Sequence, residues 1–298
     1  MDDDLRLLVI GGDSTIGSAL AREATNRGWR ANSTTRRSQR DLDSWPLLLD
    51  VPQSVESLIE RASAHGVTHA VISAGVTSVA DCARDPLATR QVNVVATGSL
   101  VRRLSGLGVS TLVISSSAVY SGLLRAPTEE AECDPVTEYG AQKAALEIAA
   151  LAEVNTGVAR ITKVLHGGET RWCDWARKIR QGDEVEAFTN VRFAPLRLSR
   201  VVDSILILLQ SPLTGIVHVS PPDDLTYAAA VRIIADEMGL PIKLREIVAE
   251  PDAGRGIFPD RFACLASSRS LTSFAPESSQ DAVRRSSQEY SATPTVEG

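Results

Sequence analysis

The chain of 298 residues predicts an α/β protein with a doubly wound parallel sheet, on three observations. An apolar run, Leu5-Arg6-Leu7-Leu8-Val9-Ile10, passes directly into the glycine turn Gly11-Gly12-Asp13-Ser14-Thr15-Ile16-Gly17 and a stretch of helical period reaching Arg27. Strand-like and helix-like stretches then alternate through the first half, the pattern of parallel strands joined by crossover helices. A later apolar run, Thr111 to Ile114, ends in Ser115-Ser116-Ser117 and is followed by Tyr139-Gly140-Ala141-Gln142-Lys143.

The opening strand, turn and helix make a Rossmann-type anion site. Gly11 serves the tight turn and close backbone approach to a pyrophosphate, and Gly17 lets the helix pack against the strand. Ser14 stands where a third glycine is commonest, and its hydroxyl is a candidate phosphate ligand; Asp13, Thr15 and Ile16 complete the loop. The second strand, Trp29 to Thr34, leads into Thr35-Arg36-Arg37-Ser38, with no carboxylate until Asp41. A carboxylate there would bind a ribose 2′-hydroxyl, whereas basic residues favour a 2′-phosphate. Arg36 and Arg37 therefore predict NADP(H), with NAD(H) as the alternative if they are solvated charges or stack on adenine.

Pro46 to Val51 reads as a third strand whose end, Asp50-Val51, flanks the nucleotide, and Gln53 to Ala64 as a helix. His69 to Gly75 is a fourth strand running into a small-residue turn, Ala74-Gly75, able to pass under a cofactor. Asp85 to Leu107 is a long helix carrying Asn93, and the fifth strand ends at the serines. With Thr137 to Leu151 helical, Tyr139 and Lys143 lie one turn apart on one face. A cation there is expected to lower the phenol's pKa and make it a proton donor near neutral pH. A solvated face with a half-buried tyrosine is the plainer alternative, against which the order of the motifs weighs.

After Lys143 the pattern loosens. Val158 to Thr162 reads as a sixth strand, Ile216 to Ser220 as a seventh, and Tyr227 to Gly239 as a helix closed by its glycine. The expected organisation is a nucleotide-binding domain over 1–160 with a return near 196–220. A smaller α+β substrate-binding lobe at the C-terminal side follows over 161–195 and 221–285, with a disordered tail at 286–298. Trp172 and Trp175 are read either as core anchors or as aromatics near the cleft.

A net charge of −6 argues against nucleic acid as a partner. Cys82, Cys133, Cys173 and Cys264 are scattered and without a histidine cluster, so no metal site and no disulfide framework are expected. The acidic Met1-Asp2-Asp3-Asp4 is unlike a signal peptide, and no apolar run is long enough to span a membrane; a cytoplasmic protein is expected.

The glycine turn, the run Ala74 to Cys82, Val92-Asn93-Val94, Ser115 to Tyr120 and Tyr139 to Glu147 resemble the extended short-chain dehydrogenase/reductase superfamily, of the NAD-dependent epimerase/dehydratase type. They are most like the dTDP-4-dehydrorhamnose reductase branch. The resemblance implies Ser116, Tyr139 and Lys143 as catalytic residues, with Lys143 holding the nicotinamide ribose and Ser116, three positions before Val119, bonding the substrate oxygen. Thr77, Ser117, Lys163, Trp172 and Arg192 are its substrate-binding candidates, Lys163 and Arg192 for a diphosphate. Ser117-Ala118 lacks the acidic residues that dehydratases and decarboxylases of the superfamily need there. The implied activity is reduction of a keto group, C4, of a nucleotide-activated deoxysugar by NADPH. An NAD-dependent 4-epimerase is the alternative, a non-catalytic nucleotide-binding homologue the second, and a homodimer the implied oligomer.

Overall fold

The computed structural model describes residues 5–37, 44–167, 170–252, 256–268 and 277–292. They form two compact units, the first comprising the chain to Ser121 with Glu132–Ile161 and Ser199–His218. Its centre is a seven-stranded sheet. In chain order the strands are β1 (Arg6–Ile10), β2 (Arg30–Thr35), β3 (Ser44–Pro46), β4 (His69–Ile72), β5 (Ser110–Ser116), β6 (Thr156–Ile161) and a last strand, Gly215–Val219. Across the sheet the order is Gly215–Val219, β6, β5, β4, β1, β2, β3. β1 pairs in parallel with both β2 and β4, so the chain builds outward one way from β1 and then the other. The ends of β1 and β4 thus lie at the point where strand order reverses, which is where open α/β sheets bind ligands.

Burial explains the apolar runs. Leu7, Leu8, Val9 and Ile10 are buried in succession, as expected of a parallel strand covered on both faces. Helices α1 (Thr15–Asn26), α2 (Pro52–Ala64) and α5 (Thr97–Gly106) bury one stripe each, with Leu20, Leu58 and Leu100 among the wholly enclosed side chains.

One boundary differs from the sequence reading. The third strand is Ser44–Pro46, not Pro46 to Val51: Trp45 is the core residue, and residues 47–51 run on as a loop. Pro46 has no N–H for a ladder, and the Leu47 amide donates the last bond, to Thr35 O. The long helix runs unbroken between its caps, Asp85 and Leu107, as expected: after a short α3 (Val79–Arg84), α4 (Pro86–Arg90) passes through a π-helical stretch, Gln91–Ala96, into α5. Asp85 caps α4 by accepting from the Ala88 amide, and Asn93 sits in the π stretch with its side chain held by other segments.

The second unit comprises Gly122–Ala131, Thr162–Leu198 and the described residues from Val219 onward. It carries three two-stranded pairings, of which Glu184–Phe188 with Lys243–Ile247 is the longest. Helices Thr170–Gln181, Tyr227–Met238 and Ser279–Ala292 enclose a core around Trp172, Phe193, Val231 and Ile234. The expected tail from Ser286 is instead helical as far as Ala292. Ser286 and Ser287 are buried on this helix, which packs against Tyr227–Met238, so a sequence rich in serine still has a face to enclose. Residues 293–298 lie outside the described residues. Among the described residues no helix is long and apolar enough to cross a membrane, and no cluster of His, Cys, Asp or Glu is arranged to hold a metal ion.

Candidate active site

The glycine turn forms because nothing larger fits. Gly11 has φ +97°, and a Cβ there would stand 2.6 Å from the Ala74 nitrogen; at Gly17 it would stand 2.1 Å from the Gly11 carbonyl oxygen. β1, the turn and α1 can therefore close on the turn after β4 only with glycine in both places. Ser14, expected as a phosphate ligand, is the N-cap of α1: its Oγ accepts from the Gly17 amide at 3.0 Å and lies 3.1 Å from Ser73 Oγ. Thr15 and Ile16 open α1.

A cavity of about 400 Å³ opens beside this turn, lined by Gly11, Asp13 and Ser14, by Thr35 and Arg36 after β2, by Asp50, and by Ala74, Gly75 and Thr77 after β4. Arg37 is exposed beside Arg36, and Val51, half-buried, precedes α2 as its N-cap. Ser38 and Asp41 lie outside the described residues. Asp13 reaches across to the end of β2: Thr35 Oγ1 donates to its two oxygens at 3.0 and 3.1 Å, and the Arg36 amide donates at 2.8 Å. Burial opposes its charge, but these bonds and the neighbouring Arg37 and Arg36 charges outweigh it and hold the carboxyl below its ordinary value.

Asn93 is buried, with its amide committed to the protein. It accepts from the Val76 amide at 2.7 Å and donates to Val76 O at 2.9 Å and Gln142 Oε1 at 2.8 Å. Its role in this structure is to fix the turn after β4, and Gly75 leaves room for it: a Cβ there would meet Asn93 Oδ1 at 2.8 Å.

At the end of β5, helix α6 (Glu138–Leu151) brings up the tyrosine and lysine. Thr137 caps it, accepting from the Gly140 amide at 3.0 Å. Gly140 lets the helix start against the turn Ser117–Val119, since a Cβ there would lie 2.1 Å from Ala118 O. Tyr139 shares a side-chain hydrogen bond with Ser116, whose Oγ also accepts from the Ala118 amide at 3.1 Å; Ser117 opens the turn. Lys143 Nζ donates to Ile114 O at 3.0 Å and stands 5.9 Å from the centre of the Tyr139 ring. Burial drives both pKa values away from charge. Tyr139 is pushed up to about 12, with the Ser116 hydrogen bond pulling back by less, and Lys143 down to about 8, with the Glu147 charge opposing. The phenol's pKa is thus raised rather than lowered as expected, because burial dominates and only the Ser116 hydrogen bond works against it.

One more turn along α6 is Glu147, which accepts from the Ser115 hydroxyl. Arg160 on β6 clamps the same carboxylate, with Nε 3.1 Å from both oxygens and Nη2 2.7 Å from Oε2. Both side chains are 3% exposed. Arg160 also donates to the Tyr120 hydroxyl and, at 3.2 Å, to Cys133 Sγ. Tyr139, Lys143 and Glu147, spaced four apart, therefore meet Ser116, the Ile114 carbonyl and Ser115, three consecutive residues of β5. Glu147 and Arg160 were missed as site residues. Their signals were the i, i+4, i+8 spacing on α6 and a charge inside an apolar strand.

The remaining substrate candidates lie in the second unit. Trp172 is a core anchor, 1% exposed and edge-to-face with Trp175 at 5.0 Å. Lys163 opens a short strand and is exposed; Arg192 is exposed with its guanidinium 5.3 Å from the Phe262 ring centre.

The turn fits a dinucleotide, since its glycines keep clear the space that a Cβ would fill and a cavity adjoins it. With a Ser, Tyr, Lys set at the end of β5, fold and site are those of the Rossmann-type doubly wound nucleotide-binding class. More particularly, residues 5–257 match the RmlD substrate binding domain family, and the chain belongs to it. It is 31% identical over 163 residues to methionine adenosyltransferase 2 subunit beta of Rattus norvegicus, covering 54% of this chain and 47% of that protein. The chain thus spans about half the length of that curated relative. It is 25% identical over 266 residues to the Haloferax volcanii protein named "Probable low-salt glycan biosynthesis reductase Agl14", covering 86% and 88% of the two chains. In fold it is similar to dTDP-4-dehydrorhamnose reductase of Bacillus anthracis in complex with NADP, at TM-score 0.80, 14% identity and coverage of 95% and 98%.

Proposed function

We propose that the protein is an NADPH-dependent reductase of the keto group, at C4, of a nucleotide-activated deoxysugar. The observation that carries this is the contact of Tyr139 with Ser116, backed by a buried Lys143 that stays largely protonated at neutral pH. A nicotinamide bound along the glycine turn would supply the hydride. As negative charge develops on the substrate oxygen, Tyr139 gives up its proton and the Ser116 hydroxyl steadies that oxygen. A phenol pushed up to about 12 is fully protonated beforehand, and its phenolate is still far less basic than an alkoxide, so transfer runs downhill. Lys143, charged below about pH 8, favours the phenolate left behind.

Arg36 and Arg37 support NADPH as the reductant, and the name of the Haloferax relative agrees with a reductase. The second unit is read as the substrate lobe, with Lys163 and Arg192 as its diphosphate ligands. A 4-epimerase is less favoured, because its tyrosine must also take a proton and burial opposes the phenolate. A non-catalytic subunit has one observation in its favour, the subunit name of the rat relative, and the presence of both Tyr139 and Lys143 against it.

The test is to purify the protein, look for retained nicotinamide by absorbance and mass, and titrate NADPH and NADH by fluorescence before offering 4-keto nucleotide sugars. Empty protein that prefers NADPH and oxidises it with such a sugar supports the reductase. Tightly retained NAD moves the reading to the epimerase, and cofactor binding without turnover on any of the sugars to the subunit.

A further inference from the structure

We infer that Asp13 is a cofactor-specificity residue: its carboxylate, carried from the glycine turn to the end of β2, receives a hydroxyl of the adenosine ribose and opposes a phosphate on the 2′ oxygen. This rests on the dinucleotide reading above. β2 ends in Thr35-Arg36-Arg37 and brings no acid of its own. An acid is nevertheless fixed there, because the Thr35 hydroxyl and the Arg36 amide hold Asp13 in place at the rim of the cavity.

The geometry leaves an acceptor free. A carboxylate offers about four acceptor directions. Among the described residues Oδ1 receives the Thr35 hydroxyl and Oδ2 that hydroxyl with the Arg36 amide, so a further donor can bind. An acceptor-only group suits a ribose diol and repels a phosphate, whereas Arg36 and Arg37 alone would attract one. Asp13 therefore narrows the preference for NADPH that the arginines create, and the chain discriminates less between the two cofactors than its β2 end implies.

The plain alternative is that Asp13 only ties the turn to β2. Asp13→Asn separates the two, since its amide oxygen still accepts from Thr35 and Arg36 while the charge is gone. Dissociation constants for NADPH and NADH, read by fluorescence titration on the wild-type chain, Asp13→Asn and Asp13→Ala, decide it, with melting temperatures alongside. The expected result is tighter NADPH and weaker NADH binding in Asp13→Asn, the ratio moving on the order of tenfold, with melting unchanged. Asp13→Ala moves the ratio the same way even if it melts earlier. Both constants shifting together, or neither shifting, overturns the inference and leaves the dinucleotide reading intact. A wild-type chain that binds neither cofactor overturns that reading and the inference with it.

Discussion

The two ends of the site are built by opposite means. Around the glycine turn the backbone does the positioning, and the charged side chains, Asp13, Arg36 and Arg37, are exposed. At β5 and α6 the side chains do it, and Lys143, Glu147 and Arg160 are buried and mutually bonded or charged against one another. Exposed charges in high dielectric are tuned one at a time with little effect on folding, whereas a buried pair belongs to the core and fails as a unit. On the proposed function, the end that holds the nucleotide is free to vary in what it accepts, and the end that reacts is tied to the stability of the sheet.

Substitutions on each side put that contrast under strain. The largest effect is expected from Tyr139→Phe, which removes the proton donor: turnover of a 4-keto nucleotide sugar falls on the order of 10²–10⁴-fold while NADPH affinity stays within about twofold. Unchanged turnover in a steady-state assay discards the tyrosine's role. Next is Arg160→Ala, which leaves Glu147 charged and buried without its partner and lowers stability by about 3–5 kcal/mol in urea unfolding. The loss should shrink in the double variant with Glu147→Gln, because no charge is then stranded.

Smaller is the joint change Arg36→Ala with Arg37→Ala. It should weaken NADPH by about tenfold, weaken NADH much less, and leave urea unfolding unmoved, since neither arginine is buried. Equal losses for both cofactors would remove the arginines from cofactor choice.

The smallest is a shift in pH profile. Lys143 falls to about 8 because burial disfavours its charge, and the Glu147 carboxylate works the other way. In Glu147→Gln that support is gone, so the pKa drops further and the decline of activity with rising pH begins at lower pH than in the wild type. The sign for stability follows the same lysine. Its folded pKa lies below the unfolded value of about 10.4, so its penalty is fully present below pH 8 and is relieved as pH rises from about 8 towards the unfolded value. A profile that moves to higher pH in Glu147→Gln contradicts the placement of Glu147.

How much of this was legible in the chain differs by element. The β1, turn and α1 unit was readable almost residue by residue, because an apolar run, two obligatory glycines and a helical period are local signals. Tyr139 and Lys143 were readable as a pair for the same reason, a spacing of one helical turn. Trp172 and Trp175 were not decided by spacing: the i, i+3 pattern is common to a core helix and a cleft helix, and only the packing of Phe193 and Tyr227 on Trp172 settled it.

By itself the sequence determined the winding of the sheet, the place of the glycine turn and the face shared by Tyr139 and Lys143, all consequences of backbone geometry and side-chain period within single segments. The tertiary structure alone decided that the phenol's pKa rises rather than falls, that Asn93 props the turn after β4, that Arg160 clamps Glu147, and that Asp13 stands at the end of β2. Each of these depends on desolvation or on partners brought from distant segments of the chain, and neither is encoded in any one segment's pattern.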